Sequence, residues 1–271
     1  GTSYDARFAP HSTAYSQEVR LVTLRLLLLL VAAALTAGLI ALFTETRFSL
    51  SGTALVSALY FIPVNIVCLW LLARLNGARR GNFAGTLLAM AGYRRDRLGT
   101  DILQGFLWQL LLFIPFALVI VGLVLLLSGG APIDTAFETV FVPEGATPPE
   151  LPRHFMIAST LTVALLFPLS NAPAEELVYR YHAQGRLQER GSPLWWSLLL
   201  PSLAFGLQHI LLAPTAAAAP VYFAAFTVWG LGAALIYGRQ GRLMPILIAH
   251  FITNFFTGGV PLLVLLLLGL I

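Results

Sequence analysis

Long runs of Leu, Ala, Ile, Val and Phe fill most of the chain, and polar residues gather in the stretches between them. The runs recur at lengths of about 20 residues, which is what a helix needs to cross the hydrocarbon core of a bilayer. Apolar and polar positions do not alternate, so the pattern predicts helices and not the strands of a barrel. Lipid cannot satisfy open backbone groups, and each run has to satisfy its own. The predicted spans are about 21–43, 52–74, 102–127, 155–180, 194–213, 220–238, 243–257 and a short 260–271. Residues 83–92 are apolar but too short to cross, and are expected at the membrane surface. Residues 128–153 read as a long loop carrying Asp134, Glu138, Glu144, Glu150 and several prolines. The expectation is an all-α, polytopic membrane bundle of about eight helices, with 1–20 as a cytoplasmic tail and 21–271 as a single transmembrane domain.

Composition sharpens this picture. The chain is 58% hydrophobic and 10% charged, whereas a water-soluble domain carries about 25% charged residues. All sixteen basic residues are Arg, which excludes a lysine nucleophile or Schiff base. The single Cys68 excludes an intrachain disulfide and a cysteine metal site, and reads as a small packing residue. The net charge of +4 suits anionic lipid headgroups. It does not signal nucleic acid, because the arginines lie at helix ends and not on a soluble face. Arg74, Arg79, Arg80, Arg94, Arg95 and Arg97 follow span two, Arg180, Arg186 and Arg190 follow span four, and Arg239 and Arg242 follow span six. With eight spans all of these share one side, the cytoplasmic one, along with both termini. The first apolar run is too long for a signal core and reads as a retained span. A bacterial cytoplasmic membrane is the expected location.

Charged and strongly polar groups inside membrane helices are costly, so each is a candidate for function. Glu175 and Glu176 close span four. Glu176 and Arg180 are four residues apart and can pair on one helix face. Glu175 points about 100° away; burial would raise the proton affinity of its carboxyl and suit it to act as a base. Pro168 and Pro173 would kink the helix just before it. In span five, Phe205 and His209 share a face. In span seven, His250 and Asn254 share one and can aim two donors at a single oxygen. Each feature taken alone has a plainer explanation: a helix end meeting water, a satisfied core histidine, an interhelical hydrogen bond. Together they bring polar groups from three spans to otherwise apolar surroundings.

In this order on successive helices, Glu175-Glu176-x-x-x-Arg180, Phe205-x-x-x-His209 and His250-x-x-x-Asn254 resemble the three motifs of the CAAX-protease and bacteriocin-processing (CPBP, or Abi) family of intramembrane endopeptidases. That family includes the Ras-converting CAAX prenyl endopeptidases. Trp229-Gly-Leu-Gly and Gly241-Arg-Leu-Met-Pro before His250 also look like the family. The resemblance covers about residues 171–258 and leaves the first three spans unsupported. It implies eight helices around a cavity open to the cytoplasmic leaflet, with Glu175 and His209 activating a water and His250 and Asn254 stabilising the oxyanion. Glu176, Arg180 and Phe205 would support the site. The implied substrate is a membrane-associated protein or peptide. Glu175, His209 and His250 could hold zinc with one open position, but the helix-borne H-E-x-x-H pairing is absent, so no cofactor is favoured.

Two other classes remain open: a non-proteolytic scaffold or immunity protein of the same fold, and a proton-coupled transporter, which lacks an evident inverted repeat here. Nothing in the sequence bears on oligomeric state. Asn65 reads as satisfying a kink near Pro63, Gln208 as bonding a neighbouring helix, His182 as a surface residue, and Gln104 and Gln109 as near an interface. Trp195 and Trp196 read as interface anchors, and Gly230 and Gly232 as permitting close helix packing. One expectation is discordant. Glu175 lies only one to two turns inside Arg180, while His209 lies about 20 Å of helix from Trp196.

Overall fold

The structure, a computed structural model, describes residues 17–43, 54–144 and 152–270. The tail expected over 1–20 lies outside the described residues up to residue 16, as does Glu150 in the long loop. The helices are α1 (Gln17–Phe43), α2 (Ala54–Leu75), α3 (Phe83–Met90), α4 (Leu98–Leu127), α5 (Ile133–Phe141), α6 (Arg153–Glu175), α7 (Gly185–Glu189), α8 (Leu194–His209), α9 (Ala218–Gln240), α10 (Met244–Asn254) and α11 (Val260–Leu267). Among the described residues there is no strand, and the polytopic helical bundle stands as the pattern of apolar runs indicates. Its outer surface is apolar, with Leu27, Leu30, Leu107, Leu110 and Leu118 exposed, as a lipid-facing surface requires.

Among the described residues, seven helical runs are long and apolar enough to cross a membrane. The segments expected at 243–257 and 260–271 form one of them, Met244–Leu267. Pro261 stands in the first turn of α11, directly after an irregular turn. A π turn over Phe255–Gly259 carries the helix across. Gly259 makes this fit: a Cβ there would lie 2.8 Å from the Ala164 carbonyl oxygen of α6. The arginine-bearing connections still share one end of the bundle, but Leu267 lies at the other.

Span four is longer than the sequence suggests. The helix does not stop at Arg180; a π-helical stretch, Glu176–Gln184, joins α6 to α7, giving one run over Arg153–Glu189. Its i→i+5 bonding is explicit where the Gly185 N–H reaches the Arg180 carbonyl. This resolves the discordant depths. Glu175 lies about 20 Å of helix from Glu189, matching the roughly 22 Å from Leu194 to His209.

Packing brings α8 against α9, α4 against α9 and α10, and α6 against α2 and α10, with α1 on α2 and the π stretch. A Cβ at Gly230 would lie 2.9 Å from Phe205, and one at Gly232 would collide with Leu112, so both glycines do permit close approach. At the arginine-bearing end, Arg242 donates to both Asp101 carboxylate oxygens at 2.8 and 2.7 Å and to the Gly92 carbonyl at 3.0 Å. The Asp101 hydrogen bonds hold this guanidinium above its ordinary pKa. The loop expected over 128–153 contains α5, whose Ala136 and Val140 are buried against Val124, Ala213, Ala218 and Val221.

Candidate active site

Glu175 is the last residue of α6 before the π stretch, and it is fully buried. Its Oε1 accepts from Gln208 Nε2 at 2.6 Å and from Arg25 Nη2 at 3.4 Å. Its Oε2 faces His250 Nε2 at 3.3 Å. That distance is longer than the 2.7–2.9 Å of a good charge-assisted hydrogen bond, and Oε2 makes no hydrogen bond among the described residues.

His250 lies between the two glutamates. Its Nδ1 meets Glu176 Oε1 at 2.6 Å; a carboxylate can only accept, so Nδ1 donates. Glu176 also pairs with Arg180 at 3.4 Å, the i,i+4 contact that their spacing predicts. The Arg180 guanidinium lies 4.5 Å from the centre of the Phe205 ring and 5.7 Å from that of Trp229, so cation–π contact compensates a charge buried among apolar helices. Trp229 and Phe205 in turn flank the His250 ring edge-on at 4.8 and 5.9 Å. Thus Phe205, Glu176 and Arg180 form the cradle of His250.

His209 ends α8. Its Nδ1 lies 2.6 Å from the Phe205 carbonyl oxygen, and its ring stacks on Phe226 at 3.7 Å and 10°. Donation from Nδ1 to that carbonyl leaves Nε2 with a lone pair. Asn254 ends α10, and its Nδ2 is buried without a hydrogen-bond partner among the described residues. A cavity of about 570 Å³ has His250 and Asn254 in its wall, with Phe205, Phe226, Trp229, Phe113, Phe116 and Tyr222 around them. Phe137 and Phe141 of α5 also line it. Its lining on α4, α9 and α10 runs from the middle of each helix toward the α5 end. It therefore occupies the half of the bundle away from the arginine-bearing connections.

The structure thus brings Glu175, Glu176, Arg180, Phe205, His209, His250 and Asn254 to one region. Several expectations need correction. Glu175, turned away from Arg180, has a different cation beside it, Arg25 of α1. Asn65 is no local kink residue: its Oδ1 accepts from Arg25 at 2.9 Å and its Nδ2 donates to Asn171 at 3.2 Å. Gln208 does bond neighbouring helices, and the partners are Glu175, Arg25 and, at 2.7 Å, the Tyr179 hydroxyl. Gln109 lines the cavity. His182 is buried, because the helix runs on past it. Cys68 is buried as expected, with its sulfur 3.6 Å from Arg25 Nη1. Trp195 and Trp196 are exposed near the arginine-bearing end, where interface anchors belong. Arg25 was the detectable omission. A charge eight residues into an apolar helix is a signal in its own right, but its closeness to Arg20 disguises it as part of the interface.

Among the described residues, no three His, Cys, Asp or Glu side chains are arranged to hold a metal ion. Of the candidate zinc ligands, Glu175 has its Oε1 held by Arg25 and Gln208, and His209 has Nδ1 on a backbone carbonyl.

Residues 157–256 match the model described as type II CAAX prenyl endopeptidase Rce1-like, a protease family. The match runs from α6 to α10 and takes in every residue of the three motifs, in agreement with the resemblance read from the motifs themselves. Helices α1 to α5 lie outside it. No curated protein and no solved structure matches the chain.

Proposed function

We propose that the chain is an intramembrane endopeptidase, hydrolysing a peptide bond of a membrane-associated protein or peptide with a water activated by Glu175 and His209. The observation that carries this reading is the meeting of two unsatisfied polar atoms with one imidazole. Among the described residues, Glu175 Oε2 and Asn254 Nδ2 are buried without hydrogen bonds, and His250, 3.3 Å from Glu175 Oε2, stands beside Asn254 in the cavity wall. Hydrolysis supplies partners for both atoms. A water donating to Glu175 Oε2 would lose that proton as its oxygen attacks the scissile carbonyl carbon. His209, with Nε2 free to accept, would share the proton load. The oxyanion would accept from Asn254 Nδ2 and, with the His250 ring carrying both protons, from His250 Nε2–H, whose loose contact to Glu175 leaves room for competition. The proton then passes to the leaving amine as the C–N bond breaks. The cradle of Glu176, Arg180 and Phe205 holds His250 in place.

This reading needs no metal. The Arg25 guanidinium beside Glu175 already occupies the position from which a cation would draw on that carboxylate. The arginine-bearing connections would face the cytosol. The substrate would then meet the site from the half of the bilayer away from it, because the cavity lies there. The test compares the membrane peptidome of cells carrying the wild-type chain with that of cells carrying Glu175→Gln or His209→Gln. Loss of a general acid–base group lowers turnover by about 10²–10⁴, so cleaved fragments present with the wild type should vanish. Undiminished cleavage by either variant refutes the mechanism.

A further inference from the structure

We propose that Arg25, in the first span, is a positioning residue for Glu175, so that the site depends on a helix outside the family-matched segment. The inference rests on the reading of Glu175 given above. Arg25 is fully buried, and a charge at that position is costly unless it is held. Its Nε donates to Gln208 Oε1 at 2.9 Å, its Nη2 donates to Asn65 Oδ1 at 2.9 Å and to Glu175 Oε1 at 3.4 Å, and its Nη1 reaches Cys68 Sγ at 3.6 Å. These acceptors come from α2, α6 and α8.

The chemistry of Gln208 explains what this achieves. Its Oε1 accepts from both Arg25 and the Tyr179 hydroxyl. With the oxygen held twice, the amide cannot flip, and Nε2 has to face Glu175 Oε1, which it meets at 2.6 Å. Arg25 therefore acts on the carboxylate directly and through Gln208, and both actions fall on Oε1. Oε2 is left turned toward His250. Asn65, itself fixed by Asn171 and Ser170, anchors the other side of the guanidinium. A planar fork of donors meets this set of acceptors, whereas an ammonium could serve only part of it.

The experiment uses the full chain in proteoliposomes with a substrate identified from the peptidome comparison. It measures kcat, KM and thermal unfolding for Arg25→Gln, Arg25→Lys, Leu29→Ala, Glu175→Gln and the double variant Arg25→Gln/Glu175→Gln. Leu29 is buried one turn further along α1 and reports on packing alone. Arg25→Gln should lower kcat by about 10²-fold, the scale of a misplaced catalytic group, with KM within about twofold. Arg25→Lys should recover part of that loss. Leu29→Ala should lower the unfolding temperature while keeping kcat below that temperature. In the double variant, the loss from Arg25→Gln should disappear, because the group it positions is gone. Wild-type kcat in a folded Arg25→Gln protein overturns the proposal, as does a loss that Leu29→Ala reproduces at equal destabilisation. If Glu175→Gln itself still cleaves, the parent reading of Glu175 fails. If Glu175→Gln is inactive while Arg25→Gln is not, only the role of Arg25 fails.

Discussion

Replacing Gly206 by alanine tests whether the seam between α8 and α9 sets the position of His209. A Cβ at this position would lie 2.6 Å from the Phe223 carbonyl oxygen and would also meet Thr227 Oγ1. The hydroxyl can rotate away, but the carbonyl is backbone and cannot. Raising 2.6 Å to the 3.4 Å at which ordinary contact begins requires about 0.8 Å of separation between the helices. Overpacking of this kind costs about 1–3 kcal/mol. The movement falls three residues before His209 and three before Phe226, on whose ring His209 stacks at 3.7 Å. A misplacement near 1 Å in a catalytic group costs about 10²-fold in rate. Gly206→Ala should therefore lower both unfolding temperature and kcat, while His209 remains present. The assay pairs thermal unfolding in detergent with cleavage of a substrate by reconstituted protein. Thr227→Ala in the same chain should restore little, because the Phe223 carbonyl stays. A Gly206→Ala protein with wild-type stability and turnover would refute the reasoning and show that the two helices are not in close contact there.

Asn254→Ala should lower kcat by about 10²–10³, the cost of one oxyanion donor, with little change in KM or stability, because Nδ2 makes no hydrogen bond among the described residues; a fall in stability with kcat preserved would count against the oxyanion role. Phe141→Ala should enlarge the α5 end of the cavity and shift cleavage toward substrates with bulkier apolar residues near the scissile bond, read from fragment sequences; an unchanged preference would separate α5 from substrate recognition.

Much of this site is legible in the sequence because buried polarity is rare in a chain with so few charges. Glu175, Glu176, His209, His250 and Asn254 stand out against apolar runs, and helical spacing pairs Glu176 with Arg180 and His250 with Asn254. Spacing does not reveal where helices continue through irregular turns. Arg180 looks like a helix end because a basic cluster follows it, yet the π stretch carries the helix on to Glu189, burying His182 and taking Glu175 deeper. Gly258-Gly259 looks like a break because glycine there means either a turn or a close approach, and only the neighbouring Ala164 carbonyl decides between them. Arg25, Asn65 and Gln208 are separated by 40 and 183 positions in their hydrogen bonds to one another. No local pattern links them.

The same irregularity accounts for the form of the site. Glu175 ends α6 where π bonding begins, Asn254 ends α10 where a second π turn begins, and His209 ends α8 where a short 3₁₀ turn over Ile210–Leu212 begins. π turns inside α-helices are uncommon and often accompany functional sites. An unbroken α-helix repeats one register along its length, so side chains far apart on it have fixed relative directions. A change of pitch immediately after each of these residues frees its direction from that of the helix beyond. The outer faces of α6, α8 and α10 can then satisfy lipid while Glu175, His209 and Asn254 turn inward. Arg25 completes the arrangement from α1, where the helix is regular and a long side chain covers the distance. A carboxylate buried in a bundle this apolar has to be held by fixed donors. The Arg25 guanidinium and the Gln208 amide hold one oxygen of Glu175 from α1 and α8, the other faces the His250 ring of α10, and the cavity lies against α10.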